Sequence, residues 1–129
     1  MARQRIQVPL EAQEQTWLFE WLHDMQQLKW PELELAYAIP NGGSRNKIEA
    51  ANLKKQGVNP GIPDVCIPVP KGGYHGLYIE MKRKMYGELS EEQKKKIPKL
   101  RAQGYRVEVC EGFQKAADVV EAYMEGRMT

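Results

Sequence analysis

Two carboxylates and an ammonium group stand near the middle of this 129-residue chain: Asp64 in the run GIPDVCIPV, and Glu80 and Lys82 in HGLYIEMKR. In an extended strand side chains alternate between faces, so Glu80 and Lys82 share a face with Tyr78, while Leu77, Ile79 and Met81 share the other. Alone, that pattern describes an ion pair on an exposed strand face. The preceding run alters its weight. Asp64 to Val69 reads as a strand and PKGG (70–73) as turn material, which predicts an antiparallel hairpin or near-hairpin. Pairing in that sense carries Asp64, at the start of one strand, toward the Glu80–Lys82 end of the other. Two carboxylates so close repel unless a cation lies between them. A hard divalent ion such as Mg²⁺, with Mn²⁺ as a substitute, takes one or two carboxylates and leaves the rest of its shell to water and phosphate oxygens. A lysine beside it orients or deprotonates an attacking water, or offsets charge that builds in the transition state. Hydrolysis of a phosphodiester is the chemistry such a set performs.

The elements that must position these groups follow from periodicity and punctuation. Leu10, Trp17, Leu18, Trp21, Leu22, Met25 and Leu28 recur at helical spacing, which predicts an amphipathic helix over 11–29, closed by Pro31. LELAYAIP (33–40) reads as a strand ended by Pro40 and the turn Asn41-Gly42-Gly43. Ser44 is placed to cap a second helix, 45–56, which stops at Gly57. Ser90-Glu91-Glu92-Gln93 is a capping-box pattern, opening a helix that runs toward Gln103, ends at Gly104 and is expected to kink or split at Pro98. YRVEVC (105–110) gives a fourth strand, and Phe113, Ala116, Ala117, Val120 and Tyr123 mark a last helix over 113–125. The order αβαββαβα predicts an α/β sandwich, a mixed four-stranded sheet with helices on both faces, in one domain spanning 1–129.

Composition sets outer limits. The chain is 42% hydrophobic and 28% charged, and no apolar run approaches the roughly 20 residues of a membrane span. The N-terminal MARQRIQVPLEAQEQ has basic residues but no apolar stretch that would make a secretory signal, so a cytoplasmic protein is expected. Cys66 and Cys110 lie in apolar strand-like runs without metal-binding spacing and read as small buried thiols. A formal charge of +2, from 19 basic and 17 acidic residues, does not by itself announce nucleic acid.

Asp64 after Pro63, followed past a 15-residue spacer by Glu80-Met81-Lys82, resembles the PD-(D/E)xK signature of the restriction-endonuclease-like superfamily. Its surroundings resemble one branch, the virus-type replication-repair nuclease (VRR-NUC) family. The matching stretches, in family order, are Ile39-Pro40-Asn41-Gly42-Gly43, Gly57-Val58, Gly61 to Asp64, Gly73 to Lys82, Gly87 to Ser90 with Gln93, and Gly104-Tyr105 with Val107. The resemblance implies a restriction-endonuclease-like sandwich and a metal-dependent nuclease, with Asp64 and Glu80 as metal ligands and Lys82 handling the water. A further acidic residue from the first helix, commonly four residues before a glutamine, is usual in the family. Glu11 and Gln15 have that spacing, whereas Glu14 lies between Trp17, Leu18 and Trp21 on the apolar face; both glutamates stay open. Gln93 matches a family position near the site, and the capping box competes for the same side chain.

Asn41, Ser44, Arg45 and Lys47 place polar groups and charge at a predicted helix N-terminus, where free N–H groups favour phosphate, although a plain turn and cap would use the same residues. Lys82, Arg83 and Lys84, then Lys94-Lys95-Lys96 with Lys99 and Arg101, gather positive charge just after the site. No recognition helix or zinc finger is visible, so DNA shape rather than base sequence is the expected target. Small free-standing members of the family resemble phage-encoded enzymes that cut four-way junctions as homodimers, and no second domain is visible here. The expectation is therefore a Holliday-junction resolvase of DNA repair or recombination, working in a bacterial host if phage-encoded, with DNA as partner and no organic cofactor. Trp30 and the Met124 end are candidate apolar surfaces for the second copy. A flap or single-strand nuclease, a catalytically silent nucleic-acid-binding module and a structural accessory that retains the domain are the alternatives.

Overall fold

The computed structural model describes residues 7–40 and 46–128. Asn41, Ser44 and Arg45 lie outside the described residues. Helix α1, Glu11–Leu28, buries Leu18 and Leu22 and lays Phe19, Trp21 and Met25 against the core. It stops where the N–H groups of Lys29 and Trp30 both turn back to the Met25 carbonyl, just before Pro31. The strand expected over 33–40 is mostly absent. Pro31–Leu35 is a 3₁₀ turn, and only Tyr37–Ala38 remain as β1. The tight turn lets Leu33 enter the core while Leu35 stays exposed; in a strand the two would share one face.

Helix α2, Lys47–Lys55, begins later than expected, because its cap is Asn46 rather than Ser44: the Asn46 side chain accepts from the Glu49 N–H at 2.8 Å. It ends before Gly57, whose φ of +103° suits glycine, and it buries no side chain. Strands β2 (Val65–Ile67) and β3 (Leu77–Lys82) pair antiparallel with Val65 opposite Ile79, as the hairpin reading expects. β1 adds to β2 antiparallel, and β4 (Arg106–Glu111) adds to β3 in parallel, giving the mixed order β1-β2-β3-β4. Helices α3 (Glu91–Ala102) and α4 (Phe113–Met124) complete the αβαββαβα order. Pro98 does not split α3. It sits on the exposed side, where water can satisfy the carbonyl that lost its donor.

Leu77, Ile79 and Met81 turn one face of β3 into the core, together with Val65 and Ile67 and opposite Leu18 and Leu22 of α1 and Ala116, Val120 and Tyr123 of α4. Trp30 and Met124 belong to this same core at 8% and 3% exposure, so the surfaces expected there for a second copy are interior. Both cysteines are buried and free. No helix among the described residues is long and apolar enough to cross a membrane. The Tyr123 hydroxyl donates to the Val69 carbonyl at 2.6 Å, joining α4 to the segment after β2. Tyr123→Phe should leave that buried carbonyl unpaired and cost about 1–2 kcal/mol, read as a lower urea midpoint with an unchanged slope.

Candidate active site

Asp64 stands one residue before β2 and is held by backbone on both sides. Its carbonyl accepts from the Ile39 N–H at 2.7 Å, and its Oδ2 accepts from the Met81 N–H at 2.9 Å. The antiparallel register would put Pro63 opposite Met81, so the aspartate side chain takes up a ladder donor at the point where the strand ends. Glu80 lies in the middle of β3 on the face away from the core and is 1% exposed. Glu11 is the first residue of α1. The chain leading into it is clamped from the residue that follows β3, because Arg83 donates from Nη2 to the Val8 carbonyl at 2.8 Å and from Nε to the Pro9 carbonyl at 3.3 Å. Three elements distant in sequence thus bring carboxylate oxygens of Glu11, Asp64 and Glu80 within 4.8 Å of one another.

Lys82 stands beside them, its Nζ 3.6 Å from Glu80 Oε1 and its side chain 11% exposed. Gln93 does both things expected of it. Its Oε1 accepts from the Ser90 N–H at 2.9 Å, closing the capping box, and its Nε2 donates to Glu80 Oε1 at 2.7 Å. The roles do not compete, because an amide has an acceptor end and a donor end, and the cap fixes which end faces Glu80. The loop over 59–64 reaches the start of α3 only through Gly61: φ is +91°, and a Cβ there would lie 2.4 Å from the Glu92 carbonyl oxygen. Lys96 ties the same loop down, donating to Asn59 Oδ1 at 2.7 Å and to the Pro60 carbonyl at 3.2 Å.

The cleft around these groups measures about 570 Å³ and is lined by Glu11, Ala50, Asp64, Glu80, Lys82 and Gln93 among others. Burial, then the neighbouring Asp64 charge, pushes the Glu80 carboxyl up from its ordinary 4.5 to about 8, against a lowering effect of Lys82. Burial and Asp64 likewise raise Glu11, while Lys82 and the Arg83 backbone act to lower it. Glu80 Oε1 is occupied by Gln93, whereas the buried Oε2 makes no hydrogen bond among the described residues. A buried carboxyl oxygen beside two further carboxyl groups is a donor set of hard oxygens that suits Mg²⁺ or Mn²⁺ once Glu80 gives up its proton.

Glu14 is placed elsewhere. It is 2% exposed, accepts from the Phe113 N–H at the start of α4, and has Lys84 Nζ 3.6 Å from its Oε1. Lys84 thus faces Glu14 and not the carboxylate cleft. Lys47 opens α2 on the exposed side, one turn before Ala50 at the cleft wall. Gln15 lines a separate depression along α1. Arg83, Lys96 and Gly61 carry the site's architecture. Gly61 belongs to a stretch that matches the family, whereas Arg83 and Lys96, expected to add positive charge for phosphate, act instead on backbone carbonyls or a loop amide, which no spacing encodes.

The VRR-NUC domain profile matches residues 4–114. A solved structure described as a VRR_NUC domain protein is similar at a TM-score of 0.80 and 28% identity, over 94% of this chain and 93% of that one. No curated protein matches the chain. On a profile match that covers most of its length and a shared fold with that solved structure, the chain belongs to the VRR-NUC domain family of nucleases with the restriction-endonuclease-like fold.

Proposed function

We propose that the protein is a Mg²⁺- or Mn²⁺-dependent endodeoxyribonuclease that cuts branched DNA, with the four-way junction as substrate and a homodimer as the acting form. The observation that carries the chemistry is the convergence of Glu11, Asp64 and Glu80 within 4.8 Å, with Lys82 alongside. The junction rests on the resemblance to small phage-encoded members of the family. A two-fold dimer follows from the need for two sites to cut a junction symmetrically.

Asp64, Glu80 and Glu11 would hold the metal. When bound, it supplies Lewis-acid polarisation of a phosphodiester oxygen and a lowered pKa for water. Lys82 orients the attacking water with an N–H and offsets the negative charge that grows on the phosphoryl oxygens. Gln93 holds Glu80 by Oε1 and so fixes the orientation of its carboxyl group at the cleft. The water oxygen gives up a proton to solvent and bonds to phosphorus as the bond from phosphorus to the leaving oxygen breaks, and that oxygen keeps the electron pair and takes up a proton from solvent. Lys47 at the start of α2, with Asn41, Ser44 and Arg45 shortly before it in the sequence, would meet the DNA backbone. Glu14 and Lys84 act on the fold: a carboxylate at the N-terminus of α4 receives its first N–H, that of Phe113, and complements its dipole.

With junction, flap, single-stranded and linear duplex DNA, Mg²⁺ should support cleavage of the junction and EDTA should abolish it. Asp64→Asn and Lys82→Ala should each lower the rate by at least about a hundredfold. Cleavage without metal, or an undiminished Asp64→Asn, refutes the mechanism; cutting of flaps or single strands alone refutes the junction assignment. The two helix glutamates should separate cleanly. Glu11→Gln should lose activity with little change in Tm, whereas Glu14→Gln should lose about 1–3 kcal/mol of stability and keep its rate when folded.

The raised Glu80 pKa fixes a pH dependence. Between about 4.5 and about 8 the native state holds a proton that the unfolded chain has released, so the stability of EDTA-treated protein should fall as pH rises through that window. Glu80→Gln should flatten the slope. In calorimetry, Mg²⁺ binding should tighten with pH across the same range and release protons to the buffer.

A further inference from the structure

A second cleft, about 410 Å³, adjoins the first and differs from it in character. Tyr78 and Tyr37 form its floor side, Ile39, Val58 and Ile62 its apolar walls, Gln56 part of its rim, and among the described residues no charged side chain lines it. The two clefts share their boundaries. β3 contributes Tyr78 to one and Glu80 to the other, the loop over 59–64 lines one with Asn59 and Ile62 and the other with Gly61 and Asp64, and α2 runs from Ala50 beside the carboxylates to the Gln56 end. They are neighbouring clefts on the same face of β3, the first anionic and the second aromatic.

The sheet fixes the floor. Register sets Tyr37 beside Cys66 and Cys66 beside Tyr78, so both rings stand in one row across the sheet. Tyr105 meets Tyr78 at 5.2 Å between centroids and 71° between planes, and His75 meets Tyr105 at 5.9 Å and 66°. These edge-to-face contacts hold Tyr78 in place before any ligand arrives. Tyr37 is 49% exposed, much for a large ring beside a cleft.

We infer that the Tyr37–Tyr78 compartment receives one unpaired nucleobase of the strand being cut, stacked on tyrosine, next to the phosphate held at the carboxylates. Rings and apolar walls suit a base and not a phosphate, and stacking tolerates any base because each has a π-face. One residue, Ile79, separates Tyr78 from Glu80, so the two side chains stand about 7 Å apart along one face of β3. A base lying flat on a tyrosine there has exchanged a neighbouring base for the ring, which an intact duplex stack does not allow. Selection of a branch over plain duplex then comes from the availability of that base. The inference rests on the nuclease reading for the identity of its ligand.

The test uses full-length protein in EDTA, with junction and flap DNA carrying 2-aminopurine at the nucleotide beside the branch, and linear duplex as control. Wild type should quench the probe and favour branched over linear DNA. Tyr37→Leu and Tyr78→Leu should abolish the quench and cost about tenfold in branched-DNA affinity, while linear duplex binds as before. Tyr37→Phe and Tyr78→Phe, which keep the ring, should behave as wild type. Quenching and preference that survive in the leucine variants overturn the proposal, as does an equal loss in the phenylalanine variants. Should Tyr78→Leu fail to fold, the exposed Tyr37 pair decides the matter. Failure of the nuclease reading is separate: wild type with Mg²⁺ would then cut none of these DNAs, whatever the probe reports.

Discussion

The mutual repulsion of three carboxylates is the constraint to which the rest of the molecule answers. At separations up to 4.8 Å, and with an effective dielectric constant of about 20, each charged pair costs about 3–4 kcal/mol. Three such pairs approach the whole stability of an ordinary domain, about 5–15 kcal/mol. Glu11, Asp64 and Glu80 therefore do not all stay charged together without a cation among them. Proton uptake relieves the conflict in the metal-free chain, which is the sense in which burial and Asp64 raise both Glu80 and Glu11.

A scaffold that holds such a set must be anchored at points away from it. The antiparallel register of β2 and β3 fixes Asp64 and Glu80 side by side, and the apolar face of β3 is what pins that register. A slip by one residue would turn Leu77, Ile79 and Met81 out of the core and Glu80 into it. Glu11 is brought in by a different device, the Arg83 clamp on the Val8 and Pro9 carbonyls. Glu14, three residues on, is spent on joining α1 to α4. Two glutamates three residues apart at the start of α1 thus serve different partners, one joining the carboxylate cleft and one tying α1 to α4.

The two clefts along β3 show how one strand sets up two environments. Alternation presents Tyr78, Glu80 and Lys82 on one face, yet Glu80 is enclosed by α3 through Gln93, whereas Tyr78 opens toward α2 and the 59–64 loop. α2 buries no side chain, so it borders both clefts without being locked to the core. Elements of that kind lie at the low end of local stability, where binding segments are usually found.

Much of this was legible in the sequence, because the signals involved are local. Strand alternation sorted β3 into a core face and a site face, the S-E-E-Q run announced the cap of α3, and the glycines closed helices where φ turns positive. The strand expected over 33–40 failed because Pro31 started a 3₁₀ turn and burial of Leu33 outweighed strand propensity, a tertiary preference that overrides a local one. Pro98 failed as a helix breaker because its position is exposed. Placing Trp30 and Met124 on the surface failed because apolar residues do not declare whether their partner is the same chain or another. Residue types and spacing alone determined that two carboxylates and a lysine would meet at a strand end. Only the tertiary structure decided which first-helix glutamate joins them, since Glu11 and Glu14 differ by less than one helical turn and their fates depend on what Arg83 and the start of α4 bring to each.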